Sequence, residues 1–316
     1  MYDVVGIDAP NIDLLLNLEE FPKPDGFTPV SACSWQGGGK VATGMVAAAR
    51  LGAKAAMLGF VGDDAYGRFI LEDFERHGID IGGIAVRKGK RTNMATVLSD
   101  RQSGGRSVLW LPGDAERLRS DEIPDHYLQN TRFFHIAQAD ELTLDKARKA
   151  RLAGAKVIID ADNYSDDLLN CFDAVDIFIA SEFVYNKMFS GVDYEAASRA
   201  VLQKGPEIAV FTLGSRGCAG TGPEGFFFIP AYSVQVKDTV GAGDVFHGAF
   251  VAGLLRGWNA EQTARFASAV SAIKCTRIGG RAGIPTMDAA LAFMQTGTID
   301  ESELDERVEY YSKGIV

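Results

Sequence analysis

The sequence predicts an α/β fold with a mostly parallel sheet covered by helices on both faces. Three observations predict it. Short apolar runs alternate along the chain with longer helical patterns. Those runs are apolar at consecutive rather than alternate positions, as strands buried on both faces are. Glycine is in excess, 35 of 316 residues, and its clusters mark tight turns or close backbone approach in a packed chain.

Residues 2–8 read as the first buried strand. Residues 40–51 read as an Ala-rich helix closed by Gly52, 54–61 as a strand, and 66–77 as a helix stopped by Gly78. Further on, 133–137, 156–160, 177–180 and 208–213 are strand-like, with helical stretches at 143–153, 181–189 and 194–204 between them. Their crossovers are expected to be right-handed. Two regions break the rhythm. Residues 21–35 are short, Pro-containing and alternating. Residues 84–111 hold two period-2 runs, 93–99 and 107–111, which predict an antiparallel hairpin joined across 101–106. Segments 12–36 and 84–112 are therefore expected to form a small β lid, within a single domain spanning 1–316. The open edge of that lid also offers a homodimer contact. A strand-like stretch at 233–237 precedes helices at 243–255, 260–276 and 287–294. Residues 300–316 read as a charged, exposed tail helix prone to fray.

Composition excludes several functions. Hydrophobic residues make up 47% and charged residues 23%, as in a chain with a sizeable core. The net charge of −10 argues against a phosphate-backbone binder, so no nucleic-acid partner is expected. Nothing reaches the ~20 apolar residues of a membrane span, and residues 1–5 lack a basic leader. Cys33, Cys171, Cys218 and Cys275 are widely spaced, without a C-x-x-C. A reducing cytoplasm with free thiols is expected.

The strongest chemical signal is Asp238-Thr239-Val240-Gly241-Ala242-Gly243-Asp244-Val245-Phe246-His247-Gly248. Gly241 and Gly243 allow a tight turn into a helix, so the amides of 241–243 can point to one spot at the positive end of the helix dipole. Such a pocket suits the charge of a transferring phosphoryl group. Asp244, in the first helical turn, stands where a base for an attacking hydroxyl is needed.

The segment resembles the C-terminal signature of the ribokinase-like, or PfkB, carbohydrate kinases. Gly38-Gly39-Lys40-Val41-Ala42-Thr43-Gly44 and the helix it opens are similar to the N-terminal signature of that family. Asn11-Ile12-Asp13 matches its early sugar-binding stretch, and Thr212-Leu213-Gly214-Ser215-Arg216-Gly217 its nucleotide loop. The matches, in order, span residues 6 to 285. The resemblance implies a three-layer α/β/α fold and a Mg²⁺-ATP-dependent transfer to a sugar hydroxyl. By the same resemblance Asp244 is the base, and Gly241, Ala242 and Gly243 form the anion hole. Asn11, Asp13, Gly38, Gly39, Lys40, Thr43 and Asp140 would bind the sugar. Thr212, Gly214, Ser215, Gly217 and Ser268 would bind ATP. Asp238 and Val240 would offer carbonyls to a monovalent cation, K⁺ in several members.

Some positions depart from the family. Thr43 stands where most members have Asn. Ser181 and Val184 replace the Asn and the acid of an N-x-x-E stretch that organises Mg²⁺, leaving Glu182 to act through water. The stretches 243–248, 266–269 and 274–285 are nearest to the sulfofructose-kinase branch. That branch grips a sulfonate with an arginine near Asp140. This chain has none at 136–145, so that substrate is not carried over.

Other readings are a nucleoside kinase of the same fold, with Phe27, Trp35 and Trp110 forming a base slot, and a non-catalytic sugar sensor. His247 reads equally as a packing residue and as a substrate contact. A dinucleotide oxidoreductase lacks its G-x-G-x-x-G after the first strand, and a P-loop enzyme fails because Val41 follows Lys40.

Overall fold

The computed structural model describes residues 1–100, 102 and 105–315. Arg101, Ser103 and Gly104 of the expected hairpin turn, and Val316 of the tail, lie outside the described residues. Strands β1 (Tyr2–Ile7), β2 (Asn11–Leu18) and β3 (Val30–Gly38) precede helix α1 (Lys40–Arg50). Then come β4 (Ala55–Gly62), α2 (Ala65–Arg76), β5 (Asp80–Arg87), β6 (Asn93–Asp100) and β7 (Arg106–Leu111). The central part runs α3 (Asp125–Gln129), β8 (Thr131–Ile136), α4 (Glu141–Leu152), β9 (Lys156–Ala161), β10 (Ile177–Ser181), α5 (Glu182–Met188), α6 (Tyr194–Leu202) and β11 (Ile208–Thr212). A hairpin of β12 (Cys218–Gly222) and β13 (Gly225–Ile229) leads to α7 (Ala242–Leu255), α8 (Ala260–Lys274), α9 (Met287–Thr296) and α10 (Ser302–Ser312).

The large sheet has the order β13-β12-β11-β10-β9-β8-β1-β4-β5. From β11 to β5 every neighbouring pair is parallel, and β12 and β13 extend one edge antiparallel. Successive side chains of a strand point to opposite faces, so each central strand feeds two cores. Val4, Ile158 and Ile179 pack with α1, α7 and α8, while Val5, Ile159 and Ala180 pack with α4 and α6. This explains the consecutive apolar residues of the runs.

A second sheet, β3-β2-β6-β7, stands beside the first. The expected hairpin is its β6–β7 pair, antiparallel with Val97 opposite Val108. Its middle strand β2 starts at Asn11, so the segment matched to sugar binding is itself a strand. Residues 84–87, assigned from sequence to the small sheet, belong instead to β5 and pair with β4 in the large one.

Two further expectations are corrected. Residues 233–237 are extended but join no sheet. Their alternation arises because Val234 and Val236 line a cleft while their neighbours face away. The tail helix α10 is docked rather than frayed: Leu304, Arg307 and Tyr311 are buried, and the Tyr311 hydroxyl donates to Asp73 at 2.7 Å. All four cysteines are free. Among the described residues no helix is long and apolar enough to cross a membrane.

Candidate active site

In an open parallel sheet, ligands bind outside the carboxyl ends of the strands, where the order of strands reverses. Here the chain runs from β1 outward to β4 and β5, then returns to the other side of β1 with β8. A cleft of about 720 Å³ opens at these carboxyl ends. Residues 239–244 form its floor. Asn11, Asp13, Gly39 and Lys40 line one end, and Thr212, Gly214, Ser215, Gly217 and Ser268 the other. The small sheet covers it from the side. The period of two along β7 turns Arg106, Val108 and Trp110 toward the cleft.

The floor is built by local geometry. Gly241 caps α7 with φ +74°, and a Cβ there would lie 2.7 Å from the Cα of Gly280. Only glycine meets both conditions. The amide of Ala242, expected in the anion hole, instead donates to the carbonyl of Thr239 at 3.2 Å, and that of Val245 donates to the carbonyl of Gly241 at 2.9 Å. The intervening amides of Gly243 and Asp244 are left at the helix mouth without an intrahelical acceptor. The Asp244 carboxyl stands beside them. Burial, reinforced by the charge of Asp160, pushes its pKa well above the usual carboxylate range.

Acids crowd the end lined by Asn11, Asp13 and Lys40. Burial and then the Asp162 charge push Asp160 up to about 8. Burial pushes Asp13 up to about 6, against the opposing effects of its hydrogen bond from Asn11 and the charge of Arg281. Lys40 forms an ion pair with Asp162. Burial disfavours its charge, but Asp162, Asp160 and Asp244 together hold its pKa above the ordinary lysine value. Asp8 accepts from the amide of Ala42 at 3.2 Å and so fixes the first turn of α1, from which Lys40 enters the cleft.

This crowding destabilises the fold in a pH-dependent way. A carboxyl whose folded pKa is raised from 3.8 to about 8 makes the protein lose stability as pH climbs between those values. Asp160→Asn removes that loss. A Tm gain of about 2–6 °C is expected at pH 8 and none near pH 4, read by thermal unfolding of both proteins across pH.

His247 lines the cleft but its ring is already engaged. Nδ1 lies 2.8 Å from the Gly243 carbonyl and Nε2 3.4 Å from that of Ile179. It stacks on His135 at 5.8 Å. Burial lowers the pKa of both, His135 more strongly. His247 thus spans α7 and the sheet as a packing residue.

The cleft gathers most of the residues singled out from sequence, but four fall elsewhere. Asp140 is not a cleft residue: it caps α4, its carboxylate accepting from the Thr143 amide at 3.1 Å and hydroxyl at 3.0 Å. Thr43 is buried on α1 facing Gly280. Gly38 lies behind the cleft, its carbonyl accepting from Arg281 at 3.2 Å. Asp238 lies beneath the floor: its carboxylate accepts from the amides of Val240 and Gly279, both at 2.9 Å. Glu182 does line the cleft, but its carboxylate is held by Arg216. Ser181 caps α5 through Val184 at 3.4 Å.

Asp160 and Asp162 escaped the sequence reading. Their signal was present: two acids directly after an apolar run, at the carboxyl end of a parallel strand, where ligands sit. Of the three aromatics weighed for a base slot, only Trp110 reaches the cleft. Trp35 stacks on Tyr66 at 6.0 Å, and Phe27 is 92% exposed.

Known proteins are similar to this chain in sequence and in fold. The family model described as pfkB family carbohydrate kinase matches residues 1–287. A ribokinase of Haemophilus influenzae is 30% identical over 304 residues, covering 90% of this chain and 96% of its own. An ATP-dependent ribose-1-phosphate kinase of Halopiger xanaduensis is 28% identical over 297 residues, covering 93% and 98%. The solved structure of a ribokinase from Thermotoga maritima superposes with a TM-score of 0.78 at 25% identity, covering 94% of this chain and all of its own.

Proposed function

The chain belongs to the pfkB family of carbohydrate kinases, and from that premise we propose that it transfers the γ-phosphoryl group of ATP to a hydroxyl of a sugar or sugar derivative. One observation carries the proposal. Asp244 and the amides at the mouth of α7 lie between a polar end (Asn11, Asp13, Lys40) and a glycine-rich end (Thr212, Gly214, Gly217) of the same cleft. A hydroxyl and a triphosphate entering from opposite ends meet at Asp244, a carboxyl able to take a proton at the mouth of α7.

In this reading Asn11 and Asp13 hold neighbouring sugar hydroxyls, and Gly39 lets the ring lie against backbone. The reacting hydroxyl gives its proton to the Asp244 carboxylate as its oxygen bonds to the γ-phosphorus. The bond from that phosphorus to the bridging oxygen breaks, and ADP leaves with the electron pair. The amides of Gly243 and Asp244, with Lys40, stabilise the charge on the phosphoryl oxygens. Burial raises the Asp244 pKa above the usual carboxylate range, which makes the ionised carboxylate a stronger base.

Mg²⁺ would supply neutralising charge to the triphosphate when bound. Among the described residues no cluster of three metal-ligating side chains exists, and Glu182 is paired with Arg216. The donor set therefore does not fit a resident metal. A metal there would arrive on the nucleotide rather than on the protein.

We assign the small sheet the role of a lid, because Arg106, Val108 and Trp110 already face the cleft. The sugar reading is favoured over a nucleoside, because neither Phe27 nor Trp35 reaches the cleft to form a base slot with Trp110. The test is ADP release from Mg²⁺-ATP across hexoses, pentoses, ketoses, sugar acids and nucleosides, with Asp244→Asn alongside. Sugar-dependent release lost in the variant supports the reading. Release confined to nucleosides, or undiminished in the variant, overturns it.

A further inference from the structure

Lys274 closes α8 with no solvent exposure at all. Its ammonium donates to the backbone carbonyl of Asp238 at 3.0 Å, and among the described residues it forms no ion pair. A buried ammonium without a counter-ion is expensive unless the surrounding dipoles are aimed at it. Here the turn aims the Asp238 carbonyl at it. The Asp238 carboxylate is held separately, accepting from the amides of Val240 and Gly279 and from the Ser99 hydroxyl. The amides of Lys237 and Asp238 donate in turn to the carbonyl of Cys275, the residue after Lys274. Asp238 is thus clamped on three sides, three residues before Gly241.

The family resemblance implied a monovalent cation on the carbonyls of this stretch. The residues present do not fit one. The Asp238 carbonyl already faces a positive charge tethered to the chain, and a second cation on it would meet that charge at close range in a low dielectric. An ammonium and K⁺ carry the same charge and draw on the same acceptor.

We infer that the Lys274 ammonium is the built-in cation of the turn that shapes the anion pocket, and that the enzyme works without any added monovalent ion. Lys274 does not line the cleft; it is a positioning residue. Holding the Asp238 carbonyl sets the path through Val240 to Gly241, and so the direction of the amides at the mouth of α7. The inference rests on the kinase reading for its catalytic consequence, but not for its cation consequence.

Two measurements test it. The first uses the unaltered protein, with tetramethylammonium chloride as the only monovalent salt, replaced stepwise by KCl, NaCl or NH₄Cl at constant ionic strength. Turnover is expected to change by no more than about twofold, and Tm by no more than about 1 °C, because an ion that binds the folded state raises its stability. A saturable K⁺-specific rise in Tm, or a tenfold activation, overturns the inference. The Tm arm decides even if no sugar is phosphorylated, an outcome that would count against the kinase reading alone.

The second uses Lys274→Met. Its kcat is expected to fall by about 10–100-fold with sugar KM nearly unchanged, as for a misaligned pocket. K⁺ or NH₄⁺ should restore part of that loss and raise the Tm of the variant but not of the parent. A variant with full turnover in tetramethylammonium chloride overturns the inference. A variant that does not fold leaves the decision to the first measurement.

Discussion

Asp244→Asn is expected to lower kcat by about 10³-fold while sugar KM stays within about threefold. Asparagine keeps the shape and one oxygen acceptor but cannot take the hydroxyl proton. The loss should therefore fall on turnover rather than binding, measured as ADP release under saturating ATP. Stability should not fall, because a buried carboxylate with a raised pKa disfavours the folded state at neutral pH, and the amide relieves it. A pH profile adds a second reading. The acid limb of kcat/KM should stand above the ordinary carboxylate range, since Asp244 must ionise to act. Asp160→Asn removes the neighbouring charge that helps hold Asp244 protonated, so it should move that limb to lower pH. An unmoved limb in that variant would assign it to another group.

Arg281→Met is expected to have the largest effect on stability, a loss of about 3–5 kcal/mol. Arg281 is fully buried and its guanidinium lies 2.5 Å from the equally buried Asp73. It also donates to the Gly38 carbonyl at 3.2 Å. Gly37 is a glycine because a Cβ there would lie 2.0 Å from the guanidinium. The Asp73 carboxylate accepts from Tyr311 of α10 as well. Removing the arginine leaves a buried carboxylate without its main partner, and Tm should drop by about 6–15 °C. Adding Asp73→Leu should recover much of the loss, because apolar replacement of a whole buried pair is often neutral. Sugar KM should rise in the single variant, since the loop at Gly38 leads straight into Gly39 and Lys40.

The parallel body of the fold was legible because two-sided burial writes itself as consecutive apolar residues. The hairpin of β12 and β13 was not. Its residues Cys218, Ala219, Gly220, Thr221 and Gly222 are small, since Gly220 and Gly222 pack against Ala209 and Ala260, and small residues carry no strand signal. The Asp238-to-Asp244 segment was legible because turn, dipole and acid fall within a few adjacent residues. Asp160 and Asp162 were not, because their meeting with Lys40 spans about 120 positions and exists only once the sheet is ordered. Asp140 was misread for the opposite reason. A local job, accepting from the residue three positions ahead, uses the same side chain as a distant one.

Only Asp8, Ala9 and Pro10 separate β1 in the large sheet from β2 in the small one. Asn11 and Asp13 thus ride on the middle strand of the small sheet, while Asp244 belongs to the large one. Whatever draws on those two side chains draws β6 and β7 with them. In the proposed reading, sugar affinity and the posture of the small sheet form a single equilibrium. Trp110, 53% exposed on β7, makes that equilibrium optically visible. Saturating sugar alone should shift the tryptophan emission to shorter wavelength, and nucleotide alone should leave it in place. Trp110→Phe should abolish the change without abolishing binding measured by calorimetry.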